Sequence, residues 1–352
     1  MKRPALRALL AAFCCLVVAA GPSGAEKLPK PGFPLSAAVD PSGAAVLSWK
    51  APSGVAPRQT ILLRSTTDLR TTKDGRAFPI ARLDASGLPG TYADRLAPQG
   101  VPLWYQLKLV AADGRAHYSS AECLTLPAPP IPALAQPSLL IDKSAYTLAL
   151  LDQGVPVRRF PIALGANPVN RKLHLDRAST PEGFYRISGL QPRAEFYRAY
   201  DLDYPNETDR IRYRVMADRK ELPHPLPPIG GEIQIHGDGI ASNWTWGCIA
   251  LRNDDMDLLF SLPQLSRGTP VVIAGSELTA EDLESQLALT EQERAVFMEH
   301  LVEQGLASGR SPRHWLYGLC KYQAQNGLLM TGILDRSTRR HLERQVRLTV
   351  SR

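Results

Sequence analysis

The stretch HGDGIASNWTWGCIAL, residues 236–251, sets His236 and Cys248 twelve positions apart in a run rich in glycine, tryptophan and small residues. A thiol with its ordinary pKa of about 8.5 is mostly protonated at neutral pH, and a neighbouring imidazole activates it by accepting the proton. The imidazolium formed can then return that proton to a leaving amine. Gly247 has no side chain, so a substrate carbonyl can approach the backbone there, where the amides around Gly247 and Cys248 would face an oxyanion. Nucleophile, base and oxyanion donors are therefore all nominally present. Two plainer readings fit the same residue types. His236 and Cys248 can be ordinary core residues, the usual fate of such side chains. Alternatively, His236, Asp238 and Cys248 with His224 or His174 can bind zinc, but no Cys-x-x-Cys or His-x-x-x-His spacing supports that set. No metal and no cofactor are expected.

The flanking residues say how the pair would be held. In EIQIHG, Ile233 and Ile235 point to one face of a strand while Gln234 and His236 point to the other. With the isoleucines in the core, His236 emerges on the opposite face. Gly237 and Gly239 release the chain into a loop that returns through Trp244, Thr245, Trp246 and Gly247. Beyond Cys248, Ile249 and Leu251 alternate with Ala250 and Arg252, so a second strand begins at the thiol. Trp244 and Trp246 are by default packing residues, and on a cleft they would narrow it against one acceptor.

Compartment bears on why a thiol should persist. The chain opens MKRPALRALLAAFCCLVVAAGPSGA, with basic Lys2, Arg3 and Arg7, an apolar centre and small residues before Glu26, the pattern of a secretory signal peptide over residues 1–25. Cys14 and Cys15 lie in its apolar run without the Leu-x-small-Cys pattern of a lipoprotein cleavage site. No later stretch approaches the roughly 18 uninterrupted apolar residues of a spanning helix, so an exported protein without an integral membrane segment is expected. The formal charge is +7, of which the leader supplies three. A mildly basic chain without blocks of like charge suits an anionic polymer such as a cell wall and falls short of a nucleic-acid footprint. Cys123, Cys248 and Cys320 remain, an odd number, which points to at least one free thiol in an oxidising compartment. A disulfide between Cys123 and Cys320 stays open, although both read as isolated core residues.

The expected fold is mainly β, in three parts. Residues 29–127 carry short alternating strands (AAVLSWK, QTILLRS, LWYQLKLVAADG, HYSSAECLTL) broken by Pro, Gly and Asp turns, which predicts a β-sandwich with Trp49 and Tyr105 in its core. Residues 128–137 are a proline-rich linker. Residues 138–275 read as a β-rich domain, with RIRYRVMA as one of its strands and a single helix over NDDMDLLFSL, N-capped by Asn253. Residues 279–352 turn helical: Thr279 opens one helix, Thr290 with Glu293 forms a capping box for the next, and PRHWLYGLCKYQAQN is a third, on which Leu316, Leu319, Cys320 and Gln323 share a face.

These parts resemble known families. Trp49, Tyr105 followed by VAADG and the late SSA make residues 29–127 similar to a fibronectin type III module. Tyr322 and Gln323, Asn326 to Leu328, Thr331 and Gly332, Leu334 and Asp335, Thr338 and Leu342 resemble the end of a three-helix peptidoglycan-binding module, against the alternative of a plain helical cap. The segment 138–275 resembles the L,D-transpeptidase catalytic domain of the YkuD or ErfK family. The resemblance runs in order through LLIDKSAYTLALLDQGVPVRRFPIALG, STPEGFYRIS, DLDYPNETDR, HG and GCIAL. It implies Cys248 as nucleophile, His236 as general base and acid, and the Gly237 carbonyl as the group that orients His236. It also places Gly247 in the oxyanion-hole region and Thr180, Glu182, Trp244, Thr245 and Trp246 around the substrate, with Thr180 and Glu182 shaping a turn at the cleft's edge. Many members carry Ser-His-Gly-Cys and an arginine two residues on, where this chain has Thr245, Trp246, Gly247, Cys248 and Ala250. Trp-Thr-x-Gly-Cys-Ile-Ala with Tyr-Pro-Asn looks like the YafK-type branch, some of whose members hydrolyse wall links. The function implied is an exported cysteine acyl transferase of periplasm or cell wall, acting on peptidoglycan stem peptides through a thioester on Cys248. One alternative is a hydrolase or amidase that cleaves L,D cross-links or the bond to a wall-attached lipoprotein. A second is a non-catalytic peptidoglycan-binding protein.

Overall fold

The computed structural model describes residues 31–71, 77–84, 90–175 and 178–350; the leader expected over residues 1–25, with Cys14 and Cys15, lies outside them. The fold is mainly β, with helices gathered toward the C-terminal end. Among the described residues no helix is long and apolar enough to cross a membrane.

The N-terminal part builds two sheets. Strands β1 (Leu35–Val39), β2 (Ala45–Trp49) and β5 (Thr91–Asp94) form one; β3 (Pro57–Ser65), β4 (Phe78–Asp84), β6 (Pro102–Ala111), β7 (Ala116–Tyr118) and β8 (Glu122–Thr125) form the other, with β4 at an edge. On β6, Leu103, Tyr105, Leu107 and Leu109 alternate inward and are fully buried, as a period-two strand requires. Trp49 packs against this core from its margin. HYSSAECLTL divides into β7 and β8, and Cys123 on β8 is exposed, not a core residue, because it falls on the outward phase of the pleat. Cys123, Cys248 and Cys320 are all free, so the Cys123 to Cys320 disulfide is absent.

The central part is an eight-stranded sheet. Its strands are β9 (Pro137–Asp142), β10 (Thr147–Asp152), β11 (Val155–Pro161), β14 (Gly183–Ala194), β15 (Tyr197–Leu202), β16 (Gln234–His236), β17 (Ile249–Ala250) and β18 (Pro270–Ala274). They lie in the order β11-β10-β9-β18-β14-β15-β16-β17. β12 (Asn167–Arg171) and β13 (Ser179–Thr180) make a small parallel pair beside it. RIRYRVMA is not a strand. It belongs to helix α1 (Glu207–Asp218), whose capping box joins the Asn206 side chain to the Asp209 amide and the Asp209 carboxylate to the Asn206 amide, each at 3.2 Å. The alternation of Ile211, Tyr213 and Val215 mimics a strand, but the cap and the burial of Ile211, Arg212 and Val215 at helical spacing decide the matter. Helix α2 (Asn253–Phe260) is N-capped by Arg252, not Asn253, whose side-chain oxygen accepts instead from the Asp238 amide at 2.8 Å.

Helices α3 (Ala280–Leu287), α4 (Glu291–Glu303), α5 (Pro312–Gln325) and α6 (Arg336–Val350) follow, with the expected box at Thr290 and a second one, with Asp282, at the Thr279 that opens α3. Gln323, fully buried, organises this part. Its Nε2 lies 2.7 Å from Thr331 Oγ1, 2.9 Å from the Ile333 carbonyl and 3.0 Å from Asp335 Oδ2 and Thr338 Oγ1, while its Oε1 accepts from the Gly332 amide at 3.0 Å. The Gln, Thr-Gly, Leu-Asp and Thr positions are thus spent on a buried polar network that closes the loop before α6. Cys320, on the same inner face, is buried as expected, and burial pushes its thiol up to about 12.

Buried charge ties the three parts together. Arg64 of β3 pairs with Asp94 at 2.6 Å and also donates to the Ala145 carbonyl in the turn between β9 and β10. Arg171 donates to the Thr331 carbonyl at 3.1 Å, joining β12 to the C-terminal helices. Glu182, with no exposed surface, accepts from Lys143 Nζ at 2.7 Å and from the Leu278 and Glu277 amides at 2.9 and 3.2 Å. Removing one partner of such a pair strands the other charge in the interior. Glu182→Ala should therefore lower unfolding free energy by about 3–5 kcal/mol, read by urea denaturation; a loss under about 1 kcal/mol, the range of an exposed pair, would contradict the burial argument.

Candidate active site

His236 ends β16, and its neighbours determine its chemistry. Ile233 and Ile235 enter the central core, so the imidazole stands on the opposite face, where it is 1% exposed. Its Nδ1 lies 2.7 Å from the Gly237 carbonyl oxygen. A carbonyl only accepts, so Nδ1 carries the proton and Nε2 keeps the basic lone pair. Gly237 is held by its amide, shared between the Phe196 and Arg198 carbonyls at 3.1 and 3.2 Å. A side chain at Gly237 would meet Asn253 Oδ1 at 2.5 Å. Phe196 and Trp244 enclose the imidazole, with ring centroids 5.1 and 5.5 Å from it, and Trp244 Nε1 donates to the Gly239 carbonyl at 3.1 Å. Burial holds His236 below the ordinary imidazole value, against the Gly237 hydrogen bond and the Asp238 charge, which act to raise it. At neutral pH the ring is therefore a neutral base.

Cys248 precedes β17, which lies between two neighbours. Ile249 and Ala250 pair in parallel with Ile235 and His236, and Ala250 exchanges two 2.9 Å hydrogen bonds with Ala163 on the other side. The register sets Cys248 beside Gln234, on the same face as His236. Strand spacing and rise then put the two α-carbons about 8 Å apart, within reach of an imidazole and a thiol. The thiol is half-buried and donates to the Glu232 carbonyl at 3.5 Å. Burial pushes it up to about 11, while a hydrogen bond from the Gln234 amide and the charge of Lys172 lower it.

Close backbone packing fixes where the thiol can be. Gly247 has φ +121°, and a Cβ there would sit 2.5 Å from the Ser179 carbonyl oxygen. At Gly165 a Cβ would fall 1.9 Å from the Ala178 carbonyl oxygen and 3.1 Å from the Gly247 α-carbon. Thr245, buried, donates from Oγ1 to the Cys248 carbonyl at 2.7 Å and accepts from the Gly247 amide at 3.2 Å. Its Oγ1 thus staples the turn leading to the thiol, and it uses the Gly247 N–H that was expected to face an oxyanion.

The expected site residues therefore separate into four sets. His236, Gly237 and Trp244 come together at one end of the loop, and Thr245, Gly247 and Cys248 at the other. Trp246, between Thr245 and Gly247 in sequence, is 61% exposed. Thr180, in β13, and Glu182, just before β14, offer a substrate nothing: both are fully buried, Thr180 Oγ1 accepts from the Gly165 amide at 3.3 Å, and Glu182 is occupied by Lys143 and two amides. Phe196, Gly165, Ser179 and Asn253 escape sequence reasoning because their contacts span more than ten positions; only the closing glycine of IALG is a visible signal. Among the described residues no three His, Cys, Asp or Glu side chains converge as a metal site.

Residues 136–273 match the family model of YkuD, the L,D-transpeptidase catalytic domain, which bears out the resemblance read over that segment. No curated protein matches. Among solved structures, an L,D-transpeptidase from Xylanimonas cellulosilytica is 18% identical, with 42% of this chain and 63% of that chain covered at a TM-score of 0.27. L,D-transpeptidase 1 of Mycobacterium tuberculosis is 13% identical over 52% of this chain and 75% of that chain, with a TM-score of 0.25. An Fn3-like protein from Clostridium thermocellum is 28% identical over 29% of this chain and 99% of that chain, with a TM-score of 0.22. The present chain thus spans less than two thirds of the Xylanimonas chain, and likenesses at these scores carry no structural weight.

A thiol raised to about 11 beside a neutral histidine predicts a pH profile. Below its pKa the thiolate fraction grows tenfold per pH unit. The rate of Cys248 alkylation by iodoacetamide, followed at the Cys248 peptide by mass so that the exposed Cys123 is counted separately, should climb through pH 7 to 10 without levelling. A plateau already reached near pH 7 would reveal a preformed thiolate–imidazolium pair instead.

Proposed function

We propose that the YkuD-type segment of residues 136–273 is the catalytic part of an exported cysteine acyl transferase that remodels peptidoglycan stem peptides. The observation that carries this is the tautomer of His236: with Nδ1 committed to the Gly237 carbonyl, Nε2 is left basic on the sheet face that also bears Cys248. Export rests on the leader pattern of residues 1–25 and on the location of the wall polymer.

The steps follow from these groups. Cys248 Sγ attacks the carbonyl on the L side of an L,D peptide bond while His236 Nε2 takes the thiol proton, so a thiol at about 11 need not ionise before the substrate arrives. The oxyanion is stabilised by amides at the start of β17, with the Cys248 N–H nearest, since the Gly247 N–H is engaged by Thr245. Collapse expels the amine of a D residue, which leaves with the proton from His236, and a thioester remains on Cys248. An acceptor amine then attacks the thioester, giving its proton to His236, and the thiolate leaves and is reprotonated. Water in place of the amine makes the same residues a hydrolase of a cross-link or of a lipoprotein link. The exposed Trp246, one residue before Gly247, favours transfer, because it offers an acceptor strand an apolar platform at the rim of the thiol.

Defined muropeptides with product masses test the reading. New cross-linked dimers are expected from the native chain, with a transient adduct on Cys248. Cys248→Ala should abolish both, and His236→Gln should lower turnover by about 10²–10⁴-fold, the usual worth of a general base. Trp246→Ala should shift products from dimers toward shortened stems. Shortened or released species alone from the native chain would replace transfer with hydrolysis. Unchanged products in Cys248→Ala would remove the thiol from the chemistry and leave a wall-binding role.

A further inference from the structure

The N-terminal sheets are docked onto the central part at the loop that carries the site. Phe78, first residue of β4, stacks on Tyr146 with ring centroids 4.3 Å apart and planes 9° from parallel. Tyr146 belongs to the turn between β9 and β10, has φ +52° and is 6% exposed. Its neighbour Ala145 accepts from Arg64, which the buried Asp94 and Tyr105 hold in place. Phe78 therefore approaches the central part from a rigid strand whose position is fixed by a buried ion pair.

Past Tyr146 the contacts run into residues 237–247. Asn243 Nδ2 donates to the Tyr146 hydroxyl at 3.4 Å, and Asn243 Oδ1 accepts from the Leu164 amide at 2.9 Å. Phe78 also packs, with Trp244, against a small apolar cluster of Ala163, Ile240 and Ala250. Ile240 and Trp244 are loop residues, and Ala250 is the ladder partner of His236. Trp244 in turn stands edge-on to the His236 ring at 5.5 Å. Four of the five members of this cluster come from the central part; the fifth, Phe78, comes from a part of the chain with a core of its own.

We propose that the N-terminal β module is a fixed component of the active site, with Phe78 as a positioning residue that seats Tyr146 and the loop 237–247 and so holds Trp244 against the His236 imidazole. This rests on the acyl-transfer reading for its effect on turnover, but the geometric claim stands apart from any substrate. Without Phe78 the Tyr146 ring loses its stacking face, the cluster under Trp244 acquires a void, and the loop samples placements in which the imidazole is no longer confined. The thiol is held instead by the Glu232 carbonyl and by the Thr245 and Gly247 corner, so its exposure is expected to change little.

The test uses the full chain and two probes of Cys248. Iodoacetamide, at one fixed pH and with modification read at the Cys248 peptide, reports the exposure and ionisation of the thiol without needing a proton donor for a leaving group. A carbapenem, a strained cyclic amide, reads acylation, because its ring nitrogen leaves with a proton that His236 must supply. Phe78→Ala is expected to slow acylation about tenfold while alkylation stays within twofold, with Phe78→Tyr restoring the native rate and Phe78→Leu falling between. Leu83→Ala, on the same strand but packed into the N-terminal core, should leave acylation within twofold. The His236 imidazole resonance, assigned by its disappearance in His236→Gln, should move in Phe78→Ala as the Trp244 ring current changes. A folded Phe78→Ala with native acylation and an unmoved His236 resonance would overturn the proposal, as would an equal loss of acylation in Leu83→Ala. If the native chain is not acylated at all, the acyl-transfer reading falls, and the His236 resonance alone decides the positioning claim.

Discussion

The site depends on a place where three backbone segments pass one another with no side chain between them. Gly165, the Ala178–Ser179 carbonyls and Gly247 pack so closely that a β-carbon at either glycine would lie inside a neighbouring carbonyl oxygen. Gly247 also needs a positive φ, which turns the chain out of the loop and into β17 with the thiol at the corner. Because β17 is only two residues long, its own ladder cannot place Cys248; the backbone stack on one side and the Ala163 to Ala250 bonds on the other do so. The Thr245 hydroxyl completes the corner by bridging the Gly247 amide and the Cys248 carbonyl.

The imidazole and the thiol are prepared differently, and the difference is informative about chemistry. His236 is walled in by Phe196 and Trp244, which removes water from the charged form and keeps the ring neutral. Cys248 is likewise held as a thiol by burial, with only the Gln234 amide and the Lys172 charge favouring the anion. A resting ion pair would need the opposite arrangement, a solvated or anion-flanked histidine and an electropositive cysteine. Proton transfer concerted with attack suits this site, and it makes the orientation of Nε2, through Gly237, matter more than any standing charge.

Period and punctuation made most of the architecture legible. The alternation on β6, the inward Ile233 and Ile235 around β16, the helix start at Thr279 and the capping box at Thr290 all correspond to features of the fold, and the ordered motifs over the central segment correspond to the family match. Misreadings arose where two periods overlap or where the partner is distant. Ile211, Tyr213 and Val215 alternate like a strand, yet the Asn206 and Asp209 box makes them helical. Asn253 looks like a cap but serves the Asp238 amide across the loop. Glu182 reads as part of a substrate turn, and its real partners, Lys143 and the amides of Glu277 and Leu278, are tens of residues away on either side. No local pattern encodes a contact of that range, which is why Phe196 and Ser179 also passed unnoticed.

The same long-range contacts decide what kind of molecule this is. A proline-rich linker by itself suggests a tethered module free to wander. Here the linker is pinned: the Asp152 carboxylate accepts from the Ala135 and Gln136 amides at 2.9 and 2.7 Å, and Gln99 exchanges hydrogen bonds with the backbone of Arg159. At the other end Arg171 reaches the Thr331 carbonyl, and Gly332 packs on Thr208 and Cys320, so α1 and α5 meet without a gap. Two of the contacts between parts use a buried cation to hold a carbonyl, Arg64 on Ala145 and Arg171 on Thr331. Separating these two would strand a buried charge and a buried carbonyl, a costly change. The N-terminal sheets and the C-terminal helices are therefore both fastened to the central part by buried cation-to-carbonyl hydrogen bonds, and of the two it is the N-terminal part, through Phe78, that reaches the cluster under Trp244.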